Sequence, residues 1–92
     1  FKGIDGVIKF KDREETNQVK SCGGWSTLSD GNYKIKVTTS ISQYRDIDYI
    51  SFTYKGDIIV FKIDMELIET VHTDNVYFIF DSSLLFFTNR FD

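Results

Sequence analysis

The 92-residue chain has no proline and no alanine, and only one each of cysteine, histidine, methionine and tryptophan. Each shortage closes off a class of protein. A lone cysteine, Cys22, forms no internal disulfide, which excludes a small secreted fold stapled by bridges and points to a reducing, cytoplasmic setting. No apolar run approaches the ~20 residues of a membrane span, so no membrane partner is expected. Strong charge of one sign is missing too. A formal net charge of −3 argues against a basic nucleic-acid binder and is too small to mimic the phosphate charge of DNA. The first residue is Phe1 and no signal-peptide pattern precedes it, which suggests a processed or excised piece. Phe, Tyr, Ile, Asn and Lys abound where alanine and proline are absent. Their codons are AT-rich, as in a low-GC bacterium, its phages or plasmids, or an AT-rich eukaryote or virus.

What remains is a strongly apolar and aromatic chain. Hydrophobic residues make up 41% and aromatics 16%, enough buried surface to offset chain entropy and to exclude disorder. The length suits one modest core, so residues 1–92 are expected to form a single β-rich domain. Charge is unevenly spread. Residues 1–46 hold 8 basic and 6 acidic residues, a balance of +2, and residues 47–92 hold 3 and 8, a balance of −5.

Period 2 dominates the hydrophobic pattern. "YKIKVTT" (33–39) sets Tyr33, Ile35 and Val37 on one face and Lys34 and Lys36 on the other, after the turn signal "SDGN" (29–32). "YISFTY" (49–54) is a β-rich run ended by "KGD" (55–57), where Gly56 supplies a positive φ. "IIVFKIDMEL" (58–67) alternates Ile59, Phe61, Ile63, Met65 and Leu67 with Lys62, Asp64 and Glu66, and reads as one long strand. The turn "HTDN" (72–75), the run Val76–Phe80, "DSS" (81–83) and the run Leu84–Thr88 follow. Connections this short predict antiparallel neighbours, and hence a four-stranded meander in the C-terminal half. Near the start, "GVIKF" (6–10) reads as a strand, "KDREETNQ" (11–18) as a polar loop or single helical turn, and "VKSCGGW" (19–25) as a strand ended by two glycines. A short helix is predicted at "ISQYRDI" (41–47), with Ile41, Tyr44 and Ile47 spaced by three and Ser40 as its N-cap. The fold class is therefore all-β, or β-rich α+β: a small antiparallel meander barrel or roll of about six strands with at most one short helix.

The last two strands break the inside–outside rule. Val76–Phe80 and Leu84–Phe87 are apolar at nearly every position, so each would be greasy on both faces. Their second face needs a cover: a helix, the N-terminal segment, or another protein chain. A tyrosine tolerates a wet rim better than phenylalanine, which makes Tyr77 and Ile79 the expected outward pair. With Leu85 and Phe87 they form the predicted partner-binding set, the partner being a second copy or a foreign protein.

The chemistry-bearing residues read more simply as structure. His72 and Asp74 form H-x-D, a pattern suited to a base with its orienting carboxylate or to two metal ligands, yet "HTDN" is also the composition of a turn. Asp46 and Asp48 in "RDID" lack the length and glycine of an EF-hand and read as a solvated loop. Cys22 has no cationic neighbour in sequence to lower its pKa, no elbow motif supports Ser/His/Asp catalysis, and "CGGW" lacks the lysine and spacing of a phosphate loop. No catalytic residue, metal or cofactor is expected. Aromatic alternation in "VYFIF" suits single-strand binding, but the acidic C-terminal half supplies little basic groove.

"YRDIDYI" followed by a run of strands resembles the small rolls of pleckstrin-homology type over those few residues, and assigns no family. The likeness implies a regulatory or ligand-binding β domain cut from a larger protein. The preferred reading is a non-enzymatic protein-binding module, such as a phage- or mobile-element-encoded inhibitor of a host enzyme or defence system. The single-stranded nucleic-acid barrel ranks last.

Overall fold

The cleanly alternating run 33–37 and the uniformly apolar run 76–80 are, in the computed structural model, paired strands at the centre of a sheet. The structure describes residues 5–90; residues 1–4 and 91–92, at the two ends of the expected domain, lie outside it. Among the described residues there are nine strands: β1 (Gly6–Lys9), β2 (Glu14–Ser21), β3 (Trp25–Thr27), β4 (Tyr33–Val37), β5 (Tyr49–Tyr54), β6 (Asp57–Lys62), β7 (Ile68–His72), β8 (Val76–Phe80) and β9 (Leu85–Thr88). They form a five-stranded sheet, β1-β2-β5-β6-β9, and a four-stranded sheet, β3-β4-β8-β7. The β-rich, mainly antiparallel expectation holds. The strand count is nine rather than about six, and the strands divide between two sheets instead of closing a barrel.

The sheets meet through one core. Ile35, Val37, Phe78 and Phe80 from one inner face pack with Ile50, Phe52, Ile59 and Phe61 from the other. The rings of Phe61 and Phe80 stack across the interface at 4.1 Å, and Phe52 packs edge-on to both. Each such side chain contributes roughly 1.5–3 kcal/mol through burial. Ile41, Tyr44 and Ile47 close the core, all three buried as their spacing predicts. The expected helix is a single 3-10 turn, Ile41–Tyr44, because a spacing of three matches three residues per turn. Ser40 caps it by accepting from the Ser42 amide at 3.4 Å.

Where the meander was expected, the chain changes sheets twice. β5 and β6 form a hairpin closed at Lys55 and Gly56, both with positive φ, as a tight two-residue turn requires. Strand pairing then stops at Lys62 instead of running to Leu67. Asp64 accepts from the Glu66 amide at 3.0 Å and folds Met65–Leu67 into a 3-10 turn, which delivers β7 to the other sheet. Met65 and Leu67 are consequently exposed rather than core. A second aspartate repeats the device: Asp81 accepts from the Ser83 amide and hydroxyl at 2.9 and 2.7 Å, starting the turn Ser82–Leu84 that returns the chain to β9. The two crossovers are tied together by Asp81 N–H donating to the Leu67 carbonyl at 3.0 Å.

The segment 14–18, expected as a polar loop or a single helical turn, belongs to a strand. β2 lies inside the larger sheet, antiparallel to β1 and parallel to β5. It lacks apolar alternation, and its polar side chains are used as pins. The Asp48 carboxylate accepts from the Thr16 amide and hydroxyl at 2.9 and 3.1 Å, while the Asp48 amide donates to the Thr16 hydroxyl at 3.0 Å. Ser51 donates to Asn17 at 2.9 Å and Tyr49 to Glu15 at 3.1 Å. Gln18 is buried with its side-chain oxygen unpartnered, a cost of roughly 1–3 kcal/mol that the two flanking ladders offset.

Candidate protein-binding face

Opposed residues in a ladder share a face, so the register shows which side chains point away from the core. On the four-stranded sheet, Tyr77 stands between Lys36 and Val71, and Ile79 between Lys34 and Glu69. Both are outward, as their sequence pattern predicts, and both are half-buried. Lys34 accounts for part of that cover: its ammonium sits 4.2 Å from the centre of the Tyr77 ring.

The other sheet carries a larger apolar surface. One row across its outer face runs Val19, Ser51, Val60 and Phe87, and the next runs Asn17, Tyr49 and Lys62. The β6–β9 register shifts between Val60 and Phe61, pairing Val60 with Phe87 and Phe61 with Leu85. Phe86 is the extra residue of this bulge. Its ring therefore joins that of Phe87 on the outer side, 4.8 Å from Tyr49 and 6.2 Å from Phe10. Phe86 is 47% exposed, Phe87 51% and Val19 42%, while Tyr49 and Val60 beside them are buried. The rings of Phe10 and Phe86 form a thin apolar layer over this face.

Except for the exposed Lys62, which forms no ion pair among the described residues, the main polar side chains on the face are paired internally. Ser51 and Tyr49 donate to Asn17 and Glu15, and Arg13 lies 4.3 Å over the Phe10 ring while reaching Glu15 at 3.5 Å. Burial raises the Tyr49 phenol above its usual range, and the nearby Glu15 carboxylate adds to this by accepting its proton in a hydrogen bond. A partner docking here meets rings and a guanidinium, the composition of interface hot spots, with few polar atoms left to desolvate unpaired.

The four residues predicted for partner binding do not gather. Tyr77 and Ile79 lie on the outer face of one sheet, whereas Phe87 lies on that of the other. Leu85 pairs with Phe61 and packs against the core. Phe10, Val19, Tyr49 and Phe86 were missed. Strict alternation would set Phe86 and Phe87 on opposite faces, and no local signal in "LLFFT" announces the bulge that brings them together.

The other sequence candidates find structural places. His72 ends β7 and Asp74 lies in the turn to β8, where the Thr73 amide donates to the Asn75 carbonyl. Asp48, expected in a solvated loop, pins β2 to β5, while Asp46 is exposed. Cys22 lines a cavity with Lys36, Val37 and Asn75, and His72 lines a different one with Thr38, Gln43 and Thr70. Burial pushes the Cys22 thiol up, only partly countered by the Gly24 amide, which is opposite to the shift an activated nucleophile needs. Among the described residues no group of three His, Cys, Asp or Glu side chains is placed to hold a metal ion, and no helix is long and apolar enough to cross a membrane. Compared with known protein families, curated proteins and solved structures, the chain matches none.

Proposed function

We propose that residues 1–92 form a non-enzymatic protein-binding module whose contact surface is the outer face of the five-stranded sheet. The observation that carries this reading is the pair Phe86 and Phe87, neighbours in sequence, both about half exposed and both turned outward by the bulge. Contiguous aromatic exposure of this kind marks association sites on small proteins. Its occupant is a foreign protein with an apolar anchor, and the module acts in the cytoplasm as an inhibitor of a host enzyme or defence system, encoded by a phage or mobile element. AT-rich coding, small size and the apolar face support that setting. A second reading, a ligand-binding β domain of a larger protein, is favoured by the groove at Gly23 and Gly24.

The test compares the two outer faces. The double variant Phe86→Ser, Phe87→Ser should keep its melting temperature within a few degrees and lose at least tenfold in affinity for a partner isolated from the native host. Tyr77→Ser, Ile79→Ser should retain that partner. Retention by the first variant and loss by the second would move the interface to the four-stranded sheet. Sedimentation of the unmodified chain as a dimer that the first variant abolishes would replace the foreign occupant by a second copy.

A further inference from the structure

The outer face of the four-stranded sheet continues, past the edge strand β3, into an open groove of about 340 Å³. Its lining is unlike the rest of the molecule. Three cations, Lys34, Lys36 and Arg90, and three aromatic residues, Trp25, Tyr54 and Tyr77, surround Gly23, Gly24 and Ser26. Among the described residues no carboxylate lines it, in a chain with 14 acidic residues against 11 basic ones. Among the described residues neither Lys34 nor Lys36 forms an ion pair. Lys34 and Lys36 share one face of β4, and Arg90, the third cation, reaches them from the acidic C-terminal half.

The two glycines shape the floor. A side-chain carbon at Gly23 would lie 2.8 Å from Cδ of Lys36, so the lysine stem runs across a position that only hydrogen occupies. One at Gly24 would lie 3.4 Å from the Tyr54 ring, and its φ of +109° favours glycine in any case. "CGGW" thus sets Lys36 and Tyr54 close over bare backbone. Tyr77 fixes a second cation, with the Lys34 ammonium 4.2 Å from its ring centre, and the Arg90 guanidinium lies 5.6 Å from that of Trp25. Ring-held cations lose less freedom when an anion arrives.

We propose that this groove binds a nucleotide unit, its phosphate held by Lys34 and Lys36 with Arg90 beside them, and its base laid against Trp25 or Tyr54. Cations alone would serve an acidic peptide equally well. Three aromatic side chains among them favour a ligand that joins negative charge to a flat ring. A free nucleotide and one unit of a single strand present the same chemistry, and the volume suits one such unit at the lower end of small-molecule sites. The site is separate from the aromatic face of the five-stranded sheet, so either can fail without the other.

Trp25 is the only tryptophan, and it lines the groove while packing against the core, so its fluorescence responds to a ligand bound there once the circular dichroism is shown to be unchanged. At low salt the full chain is titrated with adenosine monophosphate, short oligothymidylate, inorganic phosphate and a glutamate-rich peptide. Stacking predicts quenching by the nucleotide, the oligonucleotide or both, with no matching response to the peptide. Comparable affinity per site for the first two assigns a free nucleotide. At least tenfold tighter binding of the oligonucleotide assigns a strand. Lys34→Ala and Lys36→Ala should each weaken binding about tenfold and flatten the salt dependence by roughly one power of salt concentration. Circular dichroism confirms that both variants fold, and Gly23→Ala, which displaces the Lys36 stem, gives a charge-neutral check with the same direction of effect. Peptide binding as tight as that of the nucleotides, absence of quenching at millimolar nucleotide, or unchanged affinity in both folded lysine variants would overturn the assignment.

Discussion

On the four-stranded sheet the outward residues Tyr77 and Ile79 lie among Lys34, Lys36 and Glu69, whereas on the five-stranded sheet Tyr49 lies against Phe10 and Phe86, and Val60 opposite Phe87. Both sheets face the same problem, strands too apolar for a face turned to water. Lysine covers apolar surface with its stem and returns a charged head to solvent, so the first face ends polar. A ring that covers another ring only transfers the exposure, here from Tyr49 to Phe86. That difference is the reason the proposed partner face is the five-stranded sheet and the proposed ligand groove adjoins the four-stranded one.

The comparison breaks most sharply at the core. Phe61 is fully buried and stacked on Phe80, and Phe61→Ala should cost roughly 3–5 kcal/mol in denaturant unfolding. Phe87, on the strand paired with that of Phe61, faces outward, and Phe87→Ala should cost about 1 kcal/mol or less. Equal losses would mean that β9 is turned the other way and that the exposed aromatic face does not exist.

A smaller effect separates how the two sheets are held. Asp48→Ala removes the acceptor of the Thr16 amide and hydroxyl and should cost roughly 1–3 kcal/mol by stranding part-buried donors. Lys34→Ala breaks a cation–ring contact at the surface of the other sheet and should cost about 0.5–1 kcal/mol. Thermal melts of the two variants rank them directly. A larger loss at Lys34 would show that the lysine cover, and not the polar pins, limits stability.

These contrasts also explain what was legible. The inner faces of β4 and β6 were readable because alternation is a local signal: Ile35, Val37 and Phe61 were assigned inward from spacing and are buried. In the uniformly apolar β8 only the tolerance of Tyr77 for a wet rim turned Phe78 and Phe80 inward, where they are buried too. β2 was not readable, since a strand pinned by Thr16–Asp48 and Asn17–Ser51 is held by residues more than thirty positions away and has no periodicity of its own. The sheet changes at Asp64 and Asp81 were missed for a related reason. A single capping carboxylate overrides an apolar alternation that continues through it. The aromatic face was half visible, in Phe87, and lost at Phe86 through the bulge. The Lys34–Lys36 pair was visible on one face of β4, but the groove was hidden because Trp25, Tyr54, Tyr77 and Arg90 join that pair only through the fold.

Asp81 offers the finest test, because its turn leads directly into the strand that carries Phe86 and Phe87. The hydroxyl and then the amide of Ser83 hold its carboxyl below the ordinary value of 3.8. A carboxyl lowered by folding stabilises the fold while ionised. Its contribution is present above about pH 3.8 and is lost as pH falls through the lower folded value. Asp81→Asn keeps a capping oxygen and cannot titrate, so its melting temperature should fall less steeply than that of the unmodified chain below about pH 4. The effect is small, because the carboxylate is open to solvent, and local. Leu84 is seated in the core by this turn, so acid should expose the amides of Leu85–Thr88 to hydrogen exchange before those of Tyr33–Val37. Parallel melting curves for the two proteins, with β4 and β9 opening together, would show that the cap does not govern how β9 presents its phenylalanines.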